Sequence, residues 1–271
     1  LSLKLFDQIV LKNRAYVDMI LSDAYTHKTY YMGLVDEKNR VNFYDGQVRV
    51  VDPNGREFCK YQPADYLNHI AETVMPWSYL KVPYLKNVGW KGFVDGPDSG
   101  VYRATPLSRL NVADGMATPI AQEAYQRMYD TLGGKPVHAT LATHWARVIE
   151  MVYTAERALE LARDPEIMDS NVRVIPTATP TEGVGIVEAP RGTLTHHYVT
   201  DERGLLRKVN MIVGTTNNHA AIAMSVKKAA QSLIKAGQVV TEGLLNKIEM
   251  AFRAYDPCFG CATHTLPGQM P

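Results

Sequence analysis

The segment Asp256-Pro257-Cys258-Phe259-Gly260-Cys261-Ala262-Thr263-His264 constrains this chain more than any other feature. It places three soft or borderline metal ligands, Cys258, Cys261 and His264, within seven residues. Pro257 fixes one backbone angle and removes a donor. Gly260 permits a turn that bulkier residues resist. Two thiolates three residues apart across such a turn can grip one metal ion, so the body of the protein must present this segment at a defined place. By itself, a C-x-x-C pair is equally a redox couple or half of a zinc site. If Cys258, Cys261 and His264 held a structural zinc they would need a fourth ligand, and the sequence contains no second C-x-x-C or H-x-x-H pair.

Cysteine usage bears on the compartment. There are three cysteines in 271 residues, two of them in one motif. That argues against a disulfide framework and for a reducing environment. Cys59 has no partner at metal-ligand spacing and reads as a structural or surface thiol. No charged stretch followed by an apolar one opens the chain, and no apolar run reaches the roughly 18 residues of a spanning helix. A net charge of +1 gives no electrostatic case for a nucleic-acid or anionic-membrane partner. The expectation is a cytoplasmic protein with no membrane span and no nucleic-acid partner.

Hydrophobic periodicity supplies the elements. Leu3 to Leu21 reads as one amphipathic helix, with Leu5, Ile9, Val10, Val17 and Ile20 on its stripe. A small β-meander follows through Tyr30 to Met32, Val41 to Tyr44 and Gly46 to Val51, closed by the turn Asp52-Pro53-Asn54-Gly55. A short helix covers Ala64 to Val74. Pro76 to Asn111 is broken by Pro and Gly yet rich in aromatics, as in a segment packed over a site. Helices follow over Ile120 to Leu132 and Thr140 to Arg163. His144, in the second, reads as a packing or capping residue. Thr177 to Gly185 reads as loop, and Gly192 to Val213 as a β-hairpin directly after Arg191. Helices over Ala220 to Ala236 and Glu242 to Ala254 deliver the chain to Cys258. The expected fold class is mostly α with small antiparallel β elements, in a single domain over 1–271.

Three blocks together carry a family resemblance. Asp256 to His264 resembles D-P-C-x-x-C-x-x-H, the C-terminal signature of the large subunit of nickel-iron hydrogenases. Glu188-Ala189-Pro190-Arg191-Gly192 resembles that family's E-A-P-R-G motif. Gly100-Val101-Tyr102-Arg103 with Pro106-Leu107-Ser108-Arg109-Leu110-Asn111 is similar to a segment of its cytosolic, cofactor-coupled branch. The blocks stand in family order, and the resemblance spans about Trp77 to Pro271. The family's first cysteine motif, R-x-C-G-x-C, is absent, so the chain resembles the C-terminal portion of a large subunit.

The resemblance implies a hydrogenase large-subunit-like helical body and heterolytic cleavage or formation of H2 at a nickel-iron centre. Cys258 would be the terminal nickel thiolate and Cys261 the thiolate bridging nickel and iron. The iron would carry carbon monoxide and cyanide. Arg191 would be catalytic, its permanent charge lying over the centre, with Pro190 fixing its backbone. A lone Arg is more often a structural ion pair. Thr215 would hydrogen-bond a cyanide; as a helix N-terminal hydroxyl it is equally a cap. His264 would bind magnesium and end the mature chain, although Thr265 to Pro271 follow it here. The implied partners are an iron-sulfur small subunit, the N-terminal part of the large subunit, further electron-transfer subunits and a maturation endopeptidase, with H2 as substrate. Three cysteines cannot hold a chain of clusters within this polypeptide. Another reading is a non-catalytic, hydrogenase-like assembly or scaffold subunit; the retained cysteine pair weighs against it.

Overall fold

The computed structural model describes residues 1–262. The N-terminal amphipathic stretch is two helices rather than the single one expected: α1 (Ser2–Phe6), a π-turn over Asp7–Leu11, and α2 (Arg14–Ile20). The Asn13 side chain accepts from the Ala15 amide and restarts the helix, the local competition that makes Asn a better cap than interior residue.

A meander is present, but not with the strands expected: Val41 to Tyr44 makes only an isolated bridge, Val41 to Val35, and the third strand lies beyond the Asp52–Gly55 turn, which joins two strands instead of closing the sheet. Strands β1 (Tyr30–Val35), β2 (Gln47–Val51) and β3 (Glu57–Tyr61) pair antiparallel in that order. Cys59 lies on β3, half-buried, and burial pushes its thiol up to about 11. The helix expected over Ala64 to Val74 shrinks to α3 (Tyr66–His69). Ile70–Thr73 instead form β4, which pairs with β5 (Val82–Leu85). Cross-strand pairing outweighs a weak helical pattern here. The two-residue β6 (Tyr102–Arg103) then joins β1 in parallel, the exception to the antiparallel pairing.

Beyond β6, α4 (Pro106–Val112) is buried at every position. Thr105 caps it by accepting from the Ser108 amide. It crosses β1 at Gly33, where an added Cβ would stand 3.0 Å from the backbone of Arg109. Helix α5 (Pro119–Leu132) ends at the left-handed Gly133, as its sequence indicated. The longest helix, α6 (Thr143–Ala162), buries Trp145, Ala146, Ile149 and Tyr153 in the main core with Leu107, Leu110 and Met128. His144 on α6 is exposed and lines an apolar cleft with Phe6, Met19 and Met250.

A third sheet has three strands instead of a hairpin: β7 (Glu182–Ala189), β8 (Gly192–Thr200) and β9 (Leu206–Ile212). The residues read as loop up to Gly185 are partly β7. Gly183 and Gly185 mask its alternation, which Val184 and Ile186 carry on one face. A short α7 (Gly214–Asn217), then α8 (His219–Leu233) and α9 (Glu242–Arg253), complete the body before α10 (Phe259–Ala262). Helix α8 stops at Leu233, short of Gly237. The mixture of a helical body with small, largely antiparallel sheets matches the fold class expected.

Candidate functional site

Three chain segments far apart in sequence meet near the C-terminal end of α9. The first is the turn between β7 and β8. Ala189 pairs with Gly192, which leaves Pro190-Arg191 as a two-residue hairpin loop. Gly192 has φ +156°, and a Cβ there would stand 2.1 Å from the Ala104 carbonyl oxygen, so only glycine lets the turn approach β6 this closely. The second is α7, where Gly214 packs against the turn: an added Cβ would stand 3.0 Å from the Gly192 nitrogen and 3.2 Å from the Arg191 carbonyl carbon and Cβ.

The third is the cysteine segment. Arg147 of α6 donates to the Ala254 carbonyl at 2.8 Å, and Ser225 of α8 bonds the Tyr255 hydroxyl at 2.8 Å. These contacts pin the end of α9. Asp256 then takes a left-handed conformation, φ +49°, uncommon outside glycine, and turns the chain towards Cys258. Its carbonyl accepts from Arg191 Nε at 2.7 Å, and its carboxylate lies 3.5 Å from the same nitrogen. Thr215 Oγ1 accepts from the Cys258 amide at 3.0 Å. Because that oxygen accepts, its own proton is free to be donated elsewhere. The Cys258 and Cys261 sulfur atoms are in contact, with Cα atoms 5.4 Å apart. A pair that closes on itself can also close on one metal ion.

The structure therefore brings Arg191, Thr215, Cys258 and Cys261 into one connected cluster, with Pro190 on the exposed tip of the turn. His264 lies outside the described residues. Among the described residues no third His, Cys, Asp or Glu joins the two thiols. Soft donors that converge on one point fit a nickel, zinc or iron ion, and two thiolates alone leave part of its coordination to be supplied from elsewhere. Cys59 is committed to β3, paired with Val50, and does not join them.

Sequence reading missed the support behind the Arg191 turn. Arg109 of α4 is buried and grips Glu150 of α6 with two bonds of 2.7 Å. Its remaining nitrogen donates to Glu188 at 2.9 Å and to the Ala189 carbonyl at 2.8 Å. Glu188 also accepts from the Leu34 amide at 2.7 Å and from Thr193 Oγ1 at 3.0 Å. Burial works against the charge on Arg109, but the two carboxylates outweigh it and hold the guanidinium above its ordinary range. Burial pushes the Glu188 carboxyl up, and Arg109 offsets this only in part. Phe43, Met151, Ala155, Ala158 and Pro190 wall the cleft above, keeping these charges in a low-dielectric setting. The only signal in the sequence is that Arg109 and Glu188 lie inside two of the blocks that carry the family resemblance.

Comparison with known proteins identifies the family and the fold. The family model of the nickel-dependent hydrogenases matches residues 17–264. The chain is 48% identical over its whole length to the iron-sulfur subunit of an F420-non-reducing hydrogenase from Archaeoglobus profundus, of which it covers 56%. It is 40% identical over 99% of its length to the NAD-reducing hydrogenase HoxS subunit beta of Cupriavidus necator, covering 53% of that protein. The crystal structure of an NAD+-reducing [NiFe]-hydrogenase in the H2-reduced state superposes with a TM-score of 0.84 at 36% identity, over 96% of this chain and 55% of the other. A [NiFeSe]-hydrogenase from Dm. baculatum, at 17% identity and a TM-score of 0.60, shares the fold. The chain thus spans about half the length of the curated relatives it matches. With the family match over nearly all of it, and the shared fold, this chain belongs to the nickel-dependent hydrogenase family.

Proposed function

We propose that the chain supplies the cysteine half of a hydrogenase active site and takes part in heterolytic cleavage and formation of H2. The observation that carries this reading is the junction of the Arg191 turn with the cysteine segment through Asp256 and Thr215. A nickel-iron centre, when bound, supplies the two-electron chemistry. Cys258 and Cys261 would hold it through their thiolates, and the Cys258 thiolate would accept the proton. Arg191 keeps a permanent positive charge beside the reacting gas, where a fixed dipole or charge costs no reorganisation during the reaction. Pro190 restricts the backbone that carries it, and the free hydroxyl proton of Thr215 suits a cyanide ligand of the iron. His264 is assigned to a magnesium ion.

A completed site needs two more thiolates, which we assign to an N-terminal part of the large subunit. Electrons leave through an iron-sulfur small subunit and further electron-transfer subunits, and a maturation endopeptidase acts after His264. The relatives carry names that differ in electron acceptor, one NAD-reducing and another F420-non-reducing, so the acceptor is assigned to the partner subunits. Among the described residues no helix is long and apolar enough to cross a membrane. We place the complex in the cytoplasm, on the reducing environment that keeps a metal-binding cysteine pair in its thiol form. The test is metal analysis and infrared spectroscopy of the subunit matured in its complex. Nickel and iron near one to one, with carbon monoxide and cyanide stretches, are expected. Stoichiometric zinc without those bands would overturn the reading.

A further inference from the structure

Two asparagines stand side by side at the junction of α7 and α8, and both are buried. Asn217 serves the sheet. It donates to the Thr193 carbonyl at 2.7 Å and accepts from the Tyr102 hydroxyl at 2.5 Å, tying β8 to β6. Asn218 serves something else. Its Oδ1 accepts from the Ala104 amide at 2.8 Å. Its Nδ2 donates to the Gly214 carbonyl at 2.9 Å and to the Arg191 carbonyl at 3.2 Å, with the Ala104 carbonyl farther away at 3.4 Å.

We propose that Asn218 is a positioning residue, a single amide that holds Arg191 and the Gly214-Thr215 turn at a fixed separation and, through Thr215, places Cys258. This rests on the function proposed above for those three residues. An amide has two N–H donors, and here the two short bonds go to two different site segments. The Gly214 carbonyl stands one residue before Thr215, whose hydroxyl takes the Cys258 amide. The chain of contacts is therefore Arg191 carbonyl, Asn218, Gly214 carbonyl, Thr215, Cys258. Asn218 is buried, so water cannot readily replace a lost donor, and its removal leaves the buried Gly214 carbonyl and the partly buried Arg191 carbonyl unpaired. The backbone of Asn218 adds to the same grip, since its amide donates to the Thr215 carbonyl at 3.1 Å. Arg191 and Cys258 are thereby referred to one rigid group, in addition to the direct bond from Arg191 to Asp256.

Asn218→Asp keeps the shape and the acceptor for Ala104 but turns an oxygen towards the Arg191 and Gly214 carbonyls. Asn218→Ser keeps a single, shorter donor. Thr215→Val removes only the last link. The subunit in its purified complex is compared by hydrogen-exchange mass spectrometry, which needs no metal. In Asn218→Asp, peptides over 189–193 and 256–262 should both exchange at least about tenfold faster, with α5 and β9 unchanged. Asn218→Ser should show the same pattern, weaker, and it decides the matter if the Asp variant does not accumulate. Thr215→Val should accelerate 256–262 alone. Unchanged exchange in either peptide, or a rise spread evenly over α5 and β9, would overturn the proposal. In metal-loaded enzyme the Asp variant should also shift the cyanide stretches and lower kcat with KM for H2 unchanged; unshifted bands count against it. A wild-type subunit without nickel and iron would remove the proposed function, while the exchange comparison would still decide the role of Asn218.

Discussion

Arg191 Nε donates to the backbone carbonyl of Asp256 at 2.7 Å, while the Asp256 carboxylate is farther off, at 3.5 Å. The orientation of the guanidinium is thus set by main chain, and by main chain in a left-handed conformation. Asp256→Gly should keep the contact, since glycine adopts that conformation at no steric cost. Asp256→Val should disturb it, because a β-branched residue resists positive φ. The expected order of H2 oxidation is wild type, then Gly, then Val, measured in correctly metallated complexes. A Val variant as active as the Gly variant would show that the turn geometry does not matter.

Arg191→Lys keeps the charge and loses the planar fork. Metal content should survive, and H2 oxidation should fall at least about tenfold, equivalent to about 1.4 kcal/mol of transition-state stabilisation. Unchanged turnover with full metal would reduce Arg191 to a structural role.

Cys258→Ser and Cys261→Ser should each abolish tight binding of nickel by the reduced protein, because two thiolates that meet at one point act as a chelate. Oxidising the wild-type pair to a disulfide should have the same effect as either substitution. Equilibrium dialysis with nickel, with and without reductant, reads both. Cys59→Ser should change nothing.

Arg109→Leu should destabilise the subunit by about 3–5 kcal/mol, because it leaves the buried carboxylates of Glu150 and Glu188 without their cation. The shift in denaturant midpoint at unchanged slope measures it. A loss below about 1 kcal/mol would mean that the cluster is solvated in the working protein.

Acid should weaken the fold through His138. Burial, helped by the neighbouring Arg103 charge, lowers its pKa to about 4. Arg103 donates to the Tyr31 hydroxyl at 2.8 Å, and that hydroxyl lies 2.5 Å from His138 Nδ1, so a protonated ring would bring a second positive charge close to Arg103. The folded pKa is depressed below the ordinary value of about 6.5. The contribution is therefore present above that value and is lost as pH falls from about 6.5 towards 4. His138→Gln should flatten the stability profile in that window, as followed by thermal unfolding across pH.

The cysteine segment was legible because its chemistry is contiguous: ligand spacing, Pro257 and Gly260 all sit within one turn. The long helix α6 was legible because one face repeats over 20 residues. Strands β4 and β7 were not, since their partners, rather than their own residues, decide their state. The support of the Arg191 turn was hidden for a related reason. Arg109 and Glu188 stand 79 positions apart, and neither carries a local pattern that names the other. Asn218 belongs to no motif in the sequence; its four contacts exist only after β6, the hairpin and α7 have met.

Segment 102–111 has two arginines that face different ways. Arg103 reaches Thr29, Tyr31 and the carbonyls of His27 and His138, while Arg109 reaches Glu150, Glu188 and Ala189. What this stretch stores is a count. Adding or deleting one residue between the two arginines would rotate α4 by about 100° and send one guanidinium into apolar core. Residues 169–181, exposed throughout, carry no such count. In natural variation of this chain, differences in length should therefore gather at 169–181 and be missing from 102–111, whatever happens to the identity of the residues between.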